Sequence, residues 1–229
     1  MHESDTLPVI AVIGGTGALG NALAARWARA GYTVVIGSRS EAKAVAAAER
    51  LREAGAAASV RGAVNRAAAE LADVIVVTVP FASHAEILAD IRPAVAGKIV
   101  VDTTVPLVPP KVGTVQLPSG GSAALEAQGV LGDNVTVASA FHNVAAHKLG
   151  GGDRVDCDVL VCGDSRRARE TGIALAEAAG LRGLHAGPLA NSVAPEALTS
   201  VLIQINRRYK VDGAGIRITG DVIDPHAGS

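Results

Sequence analysis

The 229-residue sequence predicts an α/β protein, with a Rossmann-type, doubly wound and mainly parallel sheet of about eight strands and a small C-terminal helical extension. Short Val/Ile-rich segments alternate with Ala-rich segments, as in βαβ units whose parallel strands are buried on both faces. A glycine-rich turn follows the first of these apolar segments. Hydrophobic residues make up 49% of the chain, which is enough for one sizeable core.

The predicted elements follow in the order that this fold requires. Strands are expected over residues 8–14, 33–37, 58–61, 73–79, 98–103, 134–140, 158–162 and 183–186. The clearest helices are 18–30 and 41–54, each ended by a glycine, followed by 166–179 and 192–209. The Pro- and Gly-rich segment 104–120 is predicted to be an irregular loop at the carboxyl end of the fifth strand.

Composition and charge exclude several classes of protein. A formal net charge of -1 gives no overall field for attracting nucleic acid or an anionic membrane. No run approaches the roughly 18 apolar residues of a membrane span, and the polar start Met1–Leu7 lacks the order of a signal peptide, so a cytoplasmic protein is expected. No metal site is predicted, because His84 and His142 show no ligand spacing.

The turn Gly15-Thr16-Gly17-Ala18-Leu19-Gly20 predicts a dinucleotide site, because it follows the first strand and opens a helix. Gly15 allows a tight turn, Gly17 allows the backbone to approach a pyrophosphate, and Gly20 allows close packing of helix and strand. The N–H groups at the start of the helix are then free to bind phosphate.

The end of the second strand indicates NADP(H) rather than NAD. An NAD-binding strand carries an Asp or Glu here for the ribose hydroxyl, whereas this strand ends in Gly37-Ser38-Arg39-Ser40. Arg39 offers a planar fork for the 2′-phosphate, Lys43 adds a second positive charge, and Ser38 and Thr16 supply hydroxyl groups.

Distinctive side chains follow strands four, five and six, whose carboxyl ends share one edge of the sheet, where ligands bind in such folds. They are Thr78, Val79, Pro80, Phe81 and His84, then Asp102, Thr103, Thr104 and Pro106, then Phe141, His142 and Asn143. The two phenylalanines are interpreted as walls for planar rings, or else as ordinary packing residues.

Two common classes do not fit. Short-chain dehydrogenases need a Tyr-x-x-x-Lys pair, and β-hydroxyacid and 6-phosphogluconate dehydrogenases need a long helical second domain. Tyr32 and Tyr209 are followed four residues later by Ile36 and Gly213, so a Tyr-x-x-x-Lys catalytic pair is absent, and too little chain follows residue 150 for a long helical domain. The sequence instead resembles the NADPH-dependent reductases of the deazaflavin coenzyme F420 over nearly its whole length. The similar blocks are VIGGTGALG (12–20), VIGSRSEAKA (35–44), TVPF (78–81), SAFHNV (139–144), VLVCGD (159–164) and AGPLANS (186–192).

The resemblance implies a hydride-transfer enzyme that uses NADP(H) and coenzyme F420, with a homodimer as the expected assembly. It implies 2′-phosphate contacts at Thr16, Ser38, Arg39 and Lys43, and a deazaflavin pocket formed by the loops after strands four to six together with the C-terminal tail. Residues 1–150 would form the NADP-binding domain, and residues 151–229 would complete the sheet and the acceptor pocket within one compact unit.

Within this pocket, His142 is the catalytic candidate, since an imidazole can donate to the acceptor ring or balance its charge. The predicted cofactor-binding residues, beyond the glycine turn and the phosphate contacts, are Thr78, Val79, Pro80, Phe81, His84, Thr103 and Asn143. Arg207, Arg208, Lys210 and Arg217 either steer the acidic tail of the coenzyme or form a solvated helix face.

Two alternatives stay open. Asp102-Thr103-Thr104 departs from the family's pattern, so a reductase of the same fold could use another small acceptor, such as a flavin or a quinone. A non-catalytic NADP sensor would keep the first half of the chain but would not need a second planar ligand.

Overall fold

A computed structural model of the chain describes residues 7–55, 59–150 and 154–221. The segment before Leu7, which bears on the signal-peptide prediction, lies outside the described residues. The strands are β1 (Ile10–Ile13), β2 (Val34–Ser38), β3 (Val60–Val64), β4 (Val74–Val77), β5 (Ile99–Asp102), β6 (Thr136–Ser139), β7 (Asp158–Gly163) and β8 (Arg182–His185). The α-helices are α1 (Ala18–Arg29), α2 (Glu41–Glu53), α3 (Asn65–Glu70), α4 (Phe81–Ile91), α5 (Ala123–Leu131), α6 (Arg166–Ala178) and α7 (Val193–Tyr209).

The strands form one sheet in the order β3-β2-β1-β4-β5-β6-β7-β8. Strands β1 to β6 are parallel, β7 runs antiparallel to β6, and β8 is parallel to β7. The direction of strand addition reverses at β1, between β2 and β4, which opens a crevice at the carboxyl ends of these strands. The predicted Rossmann-type, mainly parallel sheet is confirmed.

Helices cover both faces of the sheet, which explains the continuous apolar strands. One core layer joins α1, α2 and α6 to the sheet, and the other joins α3, α4 and α5. Trp27 of α1 links distant parts of the first layer, because its Nε1 donates to the Leu175 carbonyl of α6 at 2.8 Å. The sheet and this core layer therefore contain residues from both sides of position 150 in the sequence.

The structure refines several predicted boundaries. Strands β1, β4, β5 and β6 are shorter than expected, β3 and β7 are one residue longer, and the weakly patterned last strand is present as β8. Helices α3, α4 and α5 had no predicted bounds, while segment 104–120 is irregular as expected. Phe141 corrects one interpretation: it is 1% exposed and packs edge-on against Trp27 at a ring distance of 5.9 Å, so it serves the core.

Among the residues that the structure describes, no helix is long and apolar enough to cross a membrane.

Candidate functional site

The glycine turn after β1 is fixed by close backbone contacts. Gly14 has a φ of 76°, a conformation that favours glycine, and a side chain there would also meet the Thr78 carbonyl. A Cβ on Gly15 would lie 2.8 Å from the Val12 carbonyl oxygen, and one on Gly20 would lie 2.4 Å from Thr78 Oγ1. The left-handed residue is thus Gly14, one position before the predicted motif, while Gly20 brings α1 against β4.

The first turn of α1 is available to an anion. Gly17 is the N-cap of this helix, and no side chain caps it. No acidic residue stands in the first turn either, and Thr16, Gly17 and Ala18 are exposed. The N–H groups of the first turn and the positive end of the helix dipole therefore favour a phosphate group at this point.

The predicted 2′-phosphate contacts lie around one cleft of about 250 Å³. Ser38, at the end of β2, is buried, whereas Arg39 and Lys43 are exposed. Ser40 caps α2 by accepting a hydrogen bond from the Lys43 backbone N–H, which fixes the first turn that carries the lysine. The cleft is lined by Gly14, Thr16, Gly17, Ser38, Arg39, Ser40, Lys43, Asn65, Thr78, Val79, Pro80, Ser83 and Ile87. We call this region the β1–β2 edge.

Sequence reasoning missed Asn65 in this cleft. It is the first residue of α3, is 3% exposed, and its Oδ1 has no hydrogen-bond partner within the described part of the chain. The pairing of Ser38 with Val64 brings Asn65 beside Arg39 at the carboxyl ends of β2 and β3. No local sequence signal marks this asparagine, because its importance arises from strand pairing.

The loop after β4 is hydrogen-bonded to β1 and the loop after β5 to β4, and with the loop after β6 these two loops form what we call the β4–β6 edge. Thr78 Oγ1 donates to the Ile13 carbonyl at 2.9 Å, and Thr103 Oγ1 donates to the Val77 carbonyl at 2.9 Å. Thr103 is 4% exposed, so its hydroxyl is used within the protein. Of the residues predicted after β4, Thr78, Val79 and Pro80 line the cleft.

His84 and Asp102 form a buried pair beneath the β4–β6 edge. His84 Nε2 lies 2.6 Å from Asp102 Oδ2, and Asp102 Oδ1 accepts the Thr104 N–H at 2.9 Å. Burial lowers the pKa of His84, but the hydrogen bond and charge of Asp102 outweigh burial and leave it raised. Burial likewise raises the pKa of Asp102, yet His84 and Thr104 leave it lowered. Together with Phe81, His84 borders a separate groove between α4 and α5.

His142 follows β6 and is 6% exposed, and neither of its ring nitrogens has a hydrogen-bond partner in the described structure. Burial lowers its pKa to about 4, although the charge of Asp102 opposes this shift, so the ring is neutral at pH 7. Its backbone is held by Phe141, which has a φ of 65°, and by Thr199 Oγ1, which donates to the His142 carbonyl at 2.8 Å. An oriented imidazole without partners is suited to a bound ligand.

Helix α7 closes this edge through buried polar contacts that the sequence did not reveal. Asn143 Nδ2 donates to the Pro195 carbonyl at 2.9 Å, so this predicted cofactor-binding residue anchors α7. Glu196 is 1% exposed, and its carboxylate accepts the Ala123 and Ala124 N–H groups at the start of α5. Burial raises the pKa of Glu196 to about 7, although these two N–H groups oppose the shift.

The C-terminal cations are less uniform than the sequence suggested. Arg217 is paired with Asp156, whereas Arg207, Arg208 and Lys210 are exposed. Within the described residues, no group of three or more His, Cys, Asp or Glu side chains is placed to hold a metal ion.

Comparison with known proteins shows the family of the chain. Residues 9–106 match the model of a family described as NADP oxidoreductase, coenzyme F420-dependent. The chain is 42% identical over 218 residues to an F420-dependent NADP reductase of Methanothermobacter thermautotrophicus, covering 92% of this chain and 94% of that protein. It is 38% identical to an F420-dependent NADP reductase of Methanocaldococcus jannaschii, covering 92% and 97%.

Among solved structures, a putative F420-dependent NADP reductase from Arthrobacter is similar in fold. Its TM-score is 0.76 at 24% identity, and the match covers 93% of this chain and all of that one.

Proposed function

Because the chain belongs to the family of coenzyme F420-dependent NADP oxidoreductases, we propose that it transfers a hydride reversibly between NADP(H) and coenzyme F420. One observation in the structure supports this most strongly. The uncapped start of α1 and the Ser38–Arg39–Lys43 set border the same cleft, where a pyrophosphate and a 2′-phosphate of one dinucleotide would be held together.

The residues present fit NADP(H). Gly17 is the N-cap of α1 and donates its own N–H to the Gly14 carbonyl, so the backbone N–H groups of Ala18, Leu19 and Gly20 would bind the pyrophosphate. Arg39 would hold the 2′-phosphate through its planar fork, assisted by Lys43 and the hydroxyl groups of Thr16 and Ser38. Thr78, Val79 and Pro80 form the cleft wall along which the dinucleotide would extend toward the β4–β6 edge.

The second ligand would lie beyond the β4–β6 edge, against His142. When both are bound, the dihydronicotinamide supplies a hydride and the deazaflavin accepts it, with one proton consumed. The protein's part is to align the rings and exclude water, and His142 would hold a proton at a ring nitrogen toward the acceptor. Thr103, Asn143 and His84 support this arrangement through their buried hydrogen bonds.

We further propose one compact unit, in which residues 1–150 bind NADP(H) and residues 151–229 complete the sheet and enclose the acceptor. Trp27 and Leu175, one on each side of residue 150, are hydrogen-bonded, which supports a single unit. A homodimer that acts in the cytoplasm, without nucleic-acid or membrane partners, completes the proposal.

The test mixes the purified protein with NADPH and oxidised coenzyme F420 and follows the loss of the acceptor's visible absorbance. Parallel reactions with a flavin and a quinone determine which acceptor is used. Turnover with F420 and not with the others is expected. Bound NADPH without any turnover would instead indicate an NADP sensor.

A variant of the proposed catalytic residue sharpens the assay. His142→Gln should lower kcat by about 100-fold, the usual contribution of a positioned acid or base, with little change in NADPH affinity. His185→Gln is the matched control, since His185 is an exposed residue at the end of β8. Equal kcat values in the two variants would show that His142 is structural.

A further inference from the structure

The buried Oδ1 of Asn65 is a hydrogen-bond acceptor that lacks a donor. Asn65 is 97% buried, since its exposed fraction is 3%, and the described structure gives neither end of its carboxamide a hydrogen bond. An unpaired buried polar atom of this kind destabilises the folded state, so proteins rarely retain one without a partner. Because Asn65 lines the 250 Å³ cleft, that partner can come from the ligand.

The protein makes room for this carboxamide at Gly37. A Cβ on Gly37 would lie 3.0 Å from Asn65 Oδ1 and 3.1 Å from Ile13 Cδ1, both closer than ordinary contacts. Any larger residue at this point of β2 would therefore press on the Asn65 side chain. The pairing of β2 with β3 thus places Gly37 and Asn65 next to each other at the carboxyl ends of these strands.

The chemistry of the ligand decides which of its groups Oδ1 can meet. Phosphate oxygens at neutral pH are acceptors, so neither the pyrophosphate nor the 2′-phosphate can satisfy an oxygen atom. The remaining donors near this end of NADP(H) are the 6-amino group of the adenine and a ribose hydroxyl.

The walls of the cleft favour the adenine. Ser38, Arg39 and Lys43 form its polar side, which suits the phosphorylated ribose, whereas Pro80 and Ile87 give an apolar surface that suits a planar base. A carboxamide can also pair with adenine in a bidentate way, donating from Nδ2 to a ring nitrogen while accepting from the 6-amino group.

We propose that Asn65 recognises the adenine base of the dinucleotide, accepting a hydrogen bond from its 6-amino group at Oδ1, and so makes this site selective for the base as well as for the phosphate. This inference rests on the proposed NADP(H) binding, but it is independent of the acceptor.

The experiment measures the dissociation constants of NADP⁺ and of its hypoxanthine analogue, in which a 6-oxo group replaces the 6-amino group. Both ligands carry the 2′-phosphate, so effects of charge cancel in their ratio. The native protein should prefer NADP⁺ by about 5- to 150-fold, the selectivity of a good bidentate pair. Asn65→Ala should bring this ratio close to one.

Asn65→Asp gives a second, opposite expectation. A carboxylate accepts but cannot donate, so this variant should keep or increase the preference for the 6-amino ligand even if its charge weakens both ligands. Asn134→Ala is the matched control, because Asn134 is exposed and lies at the amino end of β6. Circular dichroism identifies any variant that fails to fold.

Each result has one meaning. If the native protein shows no preference for NADP⁺, or if Asn65→Ala leaves the ratio of the two dissociation constants unchanged, Asn65 does not recognise the base. Equal weakening of NADP⁺ and its hypoxanthine analogue by Asn65→Ala would indicate a ribose contact instead. Failure of the native protein to bind NADP⁺ at all would contradict the proposed function rather than this inference.

Discussion

The β1–β2 edge and the β4–β6 edge lie along the same side of the sheet but are organised in opposite ways. At the β1–β2 edge, Arg39 and Lys43 are exposed and form no ion pair within the described residues, while the backbone around Gly14 and Gly20 is tightly packed. At the β4–β6 edge, Asp102, Thr103 and Asn143 are buried and hydrogen-bonded to other parts of the protein. The first edge is shaped by its backbone and the second by side chains from distant elements.

This difference has a chemical reason. Phosphate groups are charged, so a site for them needs only free N–H groups and cations. These cations can stay exposed to water at little cost in free energy. A pair of planar rings must be aligned at short distance and kept from water, which requires a rigid, enclosed support. Substitutions at the two edges should therefore have different effects on ligand binding and stability.

The largest effect is expected where the β1–β2 edge depends on its backbone. Gly20→Ala would place a methyl group 2.4 Å from Thr78 Oγ1 and 2.9 Å from the Gly15 Cα, which the turn cannot accommodate. We expect a loss of about 3 kcal/mol in the free energy of unfolding and loss of NADPH binding. Urea denaturation and NADPH titration measure both.

Gly150→Ala is the control for this substitution. A Cβ at Gly150 would meet no atom of the described residues within 4 Å, so the free energy of unfolding should change by less than about 0.5 kcal/mol. Normal NADPH binding by the Gly20 variant would contradict the backbone account of this edge.

A smaller and more selective effect is expected from the exposed cation. Arg39→Ala should weaken NADPH by about 10- to 150-fold, because a charged hydrogen bond to phosphate is worth about 1.5–3 kcal/mol, and should leave NADH nearly unchanged. Asn65→Ala should weaken both dinucleotides alike, since the adenine is common to them. Titrations of each variant with both ligands, with the exposed Arg167→Ala as control, test the contrast. If Arg39→Ala weakened the binding of NADPH and NADH equally, another residue would be the one that binds the 2′-phosphate.

The smallest effect is expected at the β4–β6 edge, as a change in pH dependence. Burial raises the pKa of Glu196 from its ordinary value of 4.5 to about 7 in the folded protein. The folded state holds the extra proton between these values, so the free energy of unfolding should fall as the pH rises from about 4.5 to about 7.

Glu196→Gln removes this titrating group and should flatten that part of the profile by about 1 kcal/mol per pH unit. The pKa of His84 is also raised, so His84 likewise lowers the free energy of unfolding as the pH rises. Because this contribution is present in the variant too, the difference between the two profiles reports on Glu196 alone. Parallel profiles for the native protein and the variant would show that Glu196 does not titrate in this range.

Local patterns predicted most of the fold and one of the two edges. The glycine turn, the Ser38–Arg39–Lys43 set and the alternation of strands and helices are each encoded within a few neighbouring residues. The β4–β6 edge was predicted only as a list of residues at strand ends. Phe141, interpreted as a possible ring wall, packs against Trp27 instead, because the backbone after β6 turns it into the core.

Local sequence was enough to predict the fold class, the glycine turn after β1 and NADP(H) as the dinucleotide, since these predictions depend on short-range backbone geometry and local charge. Tertiary structure alone decided the pairing of His84 with Asp102, the anchoring of α7 by Asn143 and Glu196, and the unsatisfied acceptor at Asn65. These depend on contacts between residues far apart in the chain, and burial then sets their hydrogen bonds and pKa values.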